Sequence, residues 1–342
     1  MQTPLTNLGL KYPLIVAPMA GGPSSPELVA ASSAAGALGS IGAAYSNPAA
    51  IADFVEKVRA RTDRPFAINL FIQHPQPQIA DTMVERAMAA TAQYRAELGL
   101  PAPQFAAPYE EDFDAQFEAV LRARPAGLSF VFGVLAADHM RAARAAGMLI
   151  IGTATTTEEA QALQESGVDA ITLQGFEAGG HRGIFDPEAA DREIRLEELL
   201  AESRRKVKVP LIAAGGIMTA ADVRAALAKG ASAVQMGTAF LATTEAGTSA
   251  PYRATLRGHE RATRTTRAFS GRFARGVENR FMIEMAPDAV MPFPAQNKFT
   301  RDIRAASTAK GSSDFLSLWA GTGKGELWQG AASDLIGHLF RA

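Results

Sequence analysis

The sequence predicts an α/β protein, a (β/α)8 barrel of the TIM type with a smaller helical lid segment over the face where its strands end. Three observations carry that expectation. Eight short apolar runs rich in β-forming residues alternate with amphipathic stretches. Many of those stretches open on helix-capping residues and close on glycine. Open doubly wound sheets usually hold fewer strands, so eight runs point to closure into a barrel.

The first run covers residues 14–19. Ser25-Pro26 then supplies an N-cap and a first-turn proline, and the helix closes at Gly36. The second run is 37–45, and Asn47-Pro48 repeats the start signal ahead of Ile51, Phe54, Val55 and Val58 on one helical face. Runs three and four are 66–72 and 127–133. A helix over 136–146, stopped by Gly147, leads into run five at 148–155. Thr156 with Glu159 has the capping-box pattern, and that helix ends at Gly167. Run six is 170–175 and run seven 210–217. Thr219 and Asp222 open a helix with Val223, Ala226 and Leu227 on one face, closed by Gly230 before run eight at 233–240.

Two connections exceed a simple βα linker. Residues 73–126 carry Pro-rich pieces, and residues 241–310 are polar, with many Arg, Thr and Ser. Long inserts in a barrel usually build a lid or small domain over the catalytic face. The expected division is a barrel over 1–240 with the insert 73–126, a small covering domain over 241–310, and a C-terminal helix in 311–342 returning to the barrel.

Composition narrows the function. The 342 residues are 47% hydrophobic and 20% charged with a net charge of −1, so no basic face is advertised for nucleic acid or an anionic membrane. Arg204-Arg205-Lys206 with Lys208, the densest basic cluster, reads as a helix C-terminus, where cations favour the dipole. With no cysteine there are no disulfides, thiolate metal sites or cysteine nucleophiles. Neither a secretory signal nor a bilayer-length apolar run is visible, so a cytoplasmic protein is the expectation.

Barrel active sites lie at the C-terminal strand ends. Those ends read Ala17-Pro18-Met19-Ala20-Gly21-Gly22, Asn69-Leu70-Phe71, Gln174-Gly175-Phe176-Glu177-Ala178-Gly179-Gly180-His181-Arg182-Gly183, Ala213-Ala214-Gly215-Gly216-Ile217 and Gln235-Met236-Gly237-Thr238. Glycine lets a backbone approach phosphate closely, and a following helix N-terminus aims amides at it. Gly215-Gly216 and Gly237-Thr238 fill the places after strands seven and eight where barrels commonly bind phosphate. Either pair alone reads as a tight turn; together they favour phosphate. Asn69 and Gln174 are amides able to read the polar edge of a flavin, or equally to hydrogen-bond a turn or the core. His181, inside the glycine-rich string, is the acid/base candidate. His74, His139, His259 and His338 lack such company, although His74 lies just past strand three.

Several motifs are absent. Residues 321–325 (Gly-Thr-Gly-Lys-Gly) form neither a P-loop nor a dinucleotide fingerprint: no apolar strand precedes them and no Ser or Thr follows Lys324. There is no Gly-x-Ser-x-Gly elbow and no His-Glu-x-x-His zinc helix. No metal ligand set is expected.

Taken together, the strand-end strings resemble those of nitronate monooxygenases, formerly 2-nitropropane dioxygenases. The likeness runs along essentially the whole chain, including Pro294-Ala295-Gln296-Asn297 and Leu318-Trp319-Ala320-Gly321, with Glu-Ala-Gly-Gly-His-Arg-Gly (177–183) its most specific element. The resemblance implies non-covalent FMN in the barrel and a second domain over it. It implies FMN contacts at Asn69, Gln174, Gly179, Gly216 and Gln235 through Thr238, and His181 as the active-site histidine. Ala17, Pro18, Met19, Gly180 and Gly215 complete the expected cofactor cradle. The implied reaction is oxidation of an alkyl nitronate, such as propionate 3-nitronate, by dioxygen to a carbonyl compound and nitrite without reduced nicotinamide. The segment 129–133 lacks a second histidine that some close members carry. FMN-dependent enoyl-carrier-protein reductases and NADH:quinone reductases share similar loops, so an NAD(P)H oxidoreductase is the alternative. A non-catalytic flavin-binding barrel and a flavin-free isomerase or aldolase barrel are more distant ones; no barrel-strand lysine is poised for the latter.

Overall fold

A computed structural model describes residues 5–258 and 262–341; His259 lies outside the described residues. The barrel strands are β1 (Leu14–Val16), β2 (Gly39–Gly42), β3 (Phe66–Phe71), β4 (Gly127–Val131), β5 (Leu149–Ala154) and β6 (Ala170–Gln174). A two-residue strand, β7 (Gly180–His181), stands apart before β8 (Leu211–Ala214) and β9 (Ala233–Met236) complete the barrel. The eight barrel strands are parallel in the order β1-β9-β8-β6-β5-β4-β3-β2. The ring is closed by a parallel bridge from Ile15 to Leu38, with Val16 N–H donating to Leu38 O and Leu38 N–H to Leu14 O, each at 2.9 Å.

Strand periodicity of two explains how the barrel fills. Ile15, Leu38, Ala67, Leu149, Ile151, Ala170, Ile212 and Ala233 form one buried cluster inside the ring, plugged from below by Leu5. Their neighbours Leu14, Val16, Ile68, Ile150, Ile171, Ala213 and Val234 belong to the larger core between strands and helices. Counting two residues on from Ile15, Ala67, Ile151, Ile212 and Ala233 gives Ala17, Asn69, Thr153, Ala214 and Gln235. Four on from Ala170 is Gln174. Parity therefore aims all six into the barrel mouth.

The helices are α1 (Pro26–Ala34), α2 (Pro48–Arg59), α3 (Asp81–Leu98), α4 (Phe113–Ala123), α5 (Ala137–Ala145), α6 (Thr157–Ser166), α7 (Leu196–Lys206) and α8 (Ala220–Ala228). They continue with α9 (Ala250–Arg257), α10 (Arg280–Glu284), α11 (Ala295–Phe299), α12 (Arg301–Ala309) and α13 (Ala332–Leu339). The caps follow the sequence: Ser25 and Asn47 accept from the third residue beyond them, and Thr156–Glu159 and Thr219–Asp222 form complete capping boxes. The basic cluster 204–206 does end α7.

The ladders stop earlier than the apolar runs suggest. Runs one, two, seven and eight reach residues 19, 45, 217 and 240, whereas their strands end at Val16, Gly42, Ala214 and Met236. After last rungs from Ala17 N–H to Met236 O at 2.9 Å and from Ala43 N–H to Asn69 O at 3.0 Å, the extra residues leave the sheet and form the mouth of the barrel.

Within the insert 73–126, α4 packs on α2 and β3 as a barrel helix, while α3 leaves the barrel and packs on α12. Tyr94 and Leu98 of α3 share a buried cluster with Phe269, Phe281, Ile303 and Phe315. The late segment adds β10 (Thr263–Thr266) and β11 (Ala274–Val277), antiparallel to each other, and β11 pairs in turn with β7. α13 returns to the barrel against α1 and α8. Among the described residues, no helix is long and apolar enough to cross a membrane.

Candidate active site

A cavity of about 680 Å³ opens at the C-terminal ends of the strands. Its wall includes the fourteen residues the sequence offers for cofactor and catalysis: Ala17, Pro18, Met19, Asn69, Gln174, Gly179, Gly180, His181, Gly215, Gly216, Gln235, Met236, Gly237 and Thr238. The structure thus gathers residues from five strand ends and one long loop around a single space.

The loop carrying His181 is held by a buried cation. Arg182 donates from Nε to Asp191 Oδ2 at 2.7 Å, and from Nη1 to Gly175 O at 2.8 Å and Gln174 Oε1 at 3.0 Å. Both members of the Arg182–Asp191 pair are sealed from solvent. Gln174 closes the loop from the strand side: its Nε2 donates to His181 O and its Oε1 accepts from Gly183 N–H, both at 2.8 Å. Much of the Gln174 amide is therefore spent on the loop, leaving one N–H for the cavity. Gly179 has no room for a side chain, since a Cβ there would lie 2.5 Å from Ala320 C.

At the other end of the cavity, Gly216 has φ +73, a left-handed conformation that a branched residue adopts only under strain. The N–H groups of Gly215, Gly216, Gly237 and Thr238 have no hydrogen-bond partner among the described residues. α8 contributes less than the sequence suggests. Its first-turn donors at Met218, Thr219 and Asp222 are already taken by its own capping box, so the free donors belong to the turns.

His181 stands between these walls. Its Nε2 lies 2.8 Å from Ser270 Oγ, and the rings of Trp319, Phe71, Phe132 and Phe293 surround it at centroid distances of 5.6, 5.8, 6.0 and 6.2 Å. Burial, reinforced by Arg272 and Arg304, pushes its pKa down to about 3, so the imidazole is neutral near pH 7. Asn69 is buried and donates to Ser129 Oγ at 3.0 Å across the β3–β4 pair. His74 lies outside the cavity wall and contacts Phe132 O at 2.7 Å, while His139 packs on Phe113 and Phe117 and His338 on Trp328.

The sequence reading missed Tyr45, Ser270, Arg301 and Arg304. Asn297, Arg301, Arg304 and Thr308 line the cavity from one face of α11 and α12. Their spacing of four, three and four residues was the available signal. Arg304 is fixed by Asn297, with Nη2 donating to its backbone O at 2.7 Å and Oδ1 at 2.9 Å, and by Thr300 O, 3.3 Å from Nε. Its Nη1 has no partner among the described residues. Burial pushes the Tyr45 phenol up in pKa, with Arg304 and Arg301 pulling the other way.

The family model for nitronate monooxygenase matches residues 2–341. A nitronate monooxygenase of Pseudomonas aeruginosa is 40% identical, the match covering 97% of this chain and 96% of that protein. One from Paraburkholderia phytofirmans is 38% identical over 98% and 93% of the two chains. The solved nitroalkane oxidase from Streptomyces ansochromogenes superposes with a TM-score of 0.91 at 37% identity, covering 98% of this chain and 96% of that one. The chain belongs to the nitronate monooxygenase family.

Proposed function

We propose that this chain holds FMN in the barrel mouth and oxidises small alkyl nitronates, propionate 3-nitronate among them, with dioxygen to a carbonyl compound and nitrite. Members of the family are flavin-dependent oxidoreductases, which makes the chain an enzyme of that kind. The observation that carries the substrate reading is the charge of the cavity. Among the described residues lining it, Arg301 and Arg304 are the only charged side chains, and none of the lining residues is a carboxylate. A small organic anion gains from such a wall, and its attraction is strong where water is excluded.

The residues present fit FMN. Two turns offer four unpaired N–H groups at Gly215, Gly216, Gly237 and Thr238, suited to a phosphate. At Gly215 a Cβ would fall 2.9 Å from Ala178 N, so this turn packs against the histidine loop only because it carries no side chain. In this reading Asn69 and Gln174 face the polar edge of the ring system. Ala17, Pro18 and Met19, with Gln235 and Met236, line its length, and Gly179 and Gly180 let the histidine loop approach it. When bound, FMN supplies the redox chemistry. Residues 241–310 serve as the covering domain, bringing Arg301, Arg304 and the Phe293 ring over the barrel face and excluding water.

The chain's own part is recognition and orientation. The free Nη1 of Arg304, with Arg301 beside it, takes a carboxylate or nitronate oxygen. The aromatic box holds the substrate's carbon next to His181. An oxygen-uptake assay with a nitronate, run with and without NADH, tests the reading. Uptake with nitrite release in the absence of NADH is expected. No uptake with nitronates, combined with anaerobic bleaching of the flavin by NADH, would establish a reductase instead.

A further inference from the structure

We propose that Ser270 is a positioning residue that fixes His181 as the Nε2–H tautomer, so that the lone pair on Nδ1 is the atom offered to the substrate. This rests on the reading that the cavity binds nitro compounds and their nitronates.

Ser270 is buried at 1% exposure, where an unmatched hydroxyl is costly. Three groups lie within its reach: His181 Nε2 at 2.8 Å, Arg272 O at 3.3 Å and Arg272 N at 3.4 Å. A hydroxyl has one hydrogen to give and two lone pairs to fill. If its hydrogen goes to Arg272 O, the lone pairs accept Arg272 N–H and Nε2–H, and every group is satisfied. If the hydroxyl instead donates to Nε2, the bond to Arg272 O is lost and one buried lone pair stays empty. The first arrangement is therefore favoured.

The turn is built to hold that hydroxyl still. Ser270 N–H and Gly271 N–H both donate to Arg267 O, at 3.2 and 2.8 Å, and Arg267 Nε donates back to Gly271 O at 2.7 Å. Gly271 has φ +87 and packs so closely on the backbone of residues 291–293 that a Cβ would fall 2.4 Å from Phe293 N. The next residue, Arg272, is locked by its guanidinium over the Phe132 ring at 4.0 Å and by donation to Ile184 O at 2.8 Å.

His181 Nδ1 has no partner among the described residues and is not sealed from the cavity. A lone pair there does opposite things to the two ionisation states of one substrate. With a neutral nitroalkane it takes the α-proton, the nitronate charge developing beside the ring offsetting the burial that otherwise holds the imidazole neutral. The C–H electron pair moves into the nitro group to give the nitronate, and the ring becomes imidazolium beside the new anion. With a preformed nitronate there is no such proton, and the lone pair contributes nothing to its binding. Ser270 thus supports the nitroalkane reaction and not the nitronate one.

The test is Ser270→Ala in the flavin-loaded protein, with kcat/KM measured for a neutral nitroalkane and for its nitronate. The nitroalkane value is expected to fall by at least about tenfold, with the ~10²–10⁴ that a positioned base contributes as the ceiling, while the nitronate value stays within about threefold. Equal losses on both forms, or no loss on either, would overturn the assignment. Histidine ¹⁵N spectra of the wild type, with the His181 signals identified by their disappearance in His181→Asn, provide a readout independent of turnover. A protonated Nε2 and bare Nδ1 are expected; the reverse pattern would also overturn it. If wild type turns over neither form, it is the proposed function that fails, and the spectra still decide the tautomer.

Discussion

Arg95 on α3 grips Asp302 on α12 with both terminal nitrogens, Nη1 to Oδ2 at 2.8 Å and Nη2 to Oδ1 at 3.0 Å, across 207 residues of sequence. The same guanidinium donates to Phe299 O at 3.3 Å and lies over the Phe299 ring. Asp302 sits directly after Arg301 and two residues before Arg304. The early insert therefore sets the position of the helix that supplies the cavity's positive charge.

Arg95→Met keeps the bulk of the buried side chain and removes the clamp. Asp302 is half exposed and can resolvate, so the loss is smaller than for a sealed pair, about 1–3 kcal/mol of stability. KM for a nitronate is expected to rise with flavin content unchanged. A lower Tm with an unaltered KM would show that the clamp stabilises the domain without aiming α12.

Arg304→Met should separate substrates by their tails. Losing one hydrogen bond to a charged group costs about 1.5–3 kcal/mol, or roughly 10–150-fold. That loss is expected in kcat/KM for propionate 3-nitronate and should be much smaller for a nitronate with an uncharged tail. Uniform losses on the two would place Arg304 at the nitronate group, and none on either would remove it from the site.

These two residues also mark where sequence reasoning stopped. The eight strands were legible because each is buried on both faces and reads as an apolar run, and the strand-end residues followed from the barrel's one-sided use of its loops. Asn69, Gln174, Gln235 and His181 needed only that rule. Arg304 stood in a polar, arginine-rich stretch that looked solvated, and its burial depends on α3, some two hundred residues earlier. Ser270 carried no local signal, since its partner is 89 residues away and joined through the β7–β11 pairing. Gln174 was found for its position, but its hydrogen bonds to Arg182 and Gly183 arise from the fold of the loop.

The glycine cradle separates two substitutions. Gly216 has φ +73, whereas Gly237 is at φ −112 and a Cβ there would meet nothing closer than Ala17 Cβ at 3.5 Å. Gly216→Val is expected to give folded, flavin-poor protein, the loss of two hydrogen bonds to phosphate being worth about 3–6 kcal/mol. Gly237→Ala should retain most of its flavin. Heating the wild type is expected to release FMN; release of FAD, or full occupancy in Gly216→Val, would remove the phosphate assignment.

The acid behaviour of His181 follows from its surroundings. Burial first, then Arg272 and Arg304, lowers its pKa from 6.5 to about 3. A depressed value means the unfolded chain binds a proton that the folded chain refuses. The neutral ring is therefore fully compatible with folding above the unfolded pKa near 6.5, and stability is lost as pH falls from there towards 3. Asparagine cannot take up that proton, so Tm of His181→Asn should fall less than that of wild type between about pH 7 and about pH 4.5. The same shift means that no limb of the nitronate rate profile near neutrality comes from this imidazole. A wild-type limb near pH 6.5 that disappears in His181→Asn would show that the bound flavin or substrate restores the ring's ordinary basicity. Matching acid sensitivity of the two proteins would show that His181 is more hydrated than its aromatic box allows.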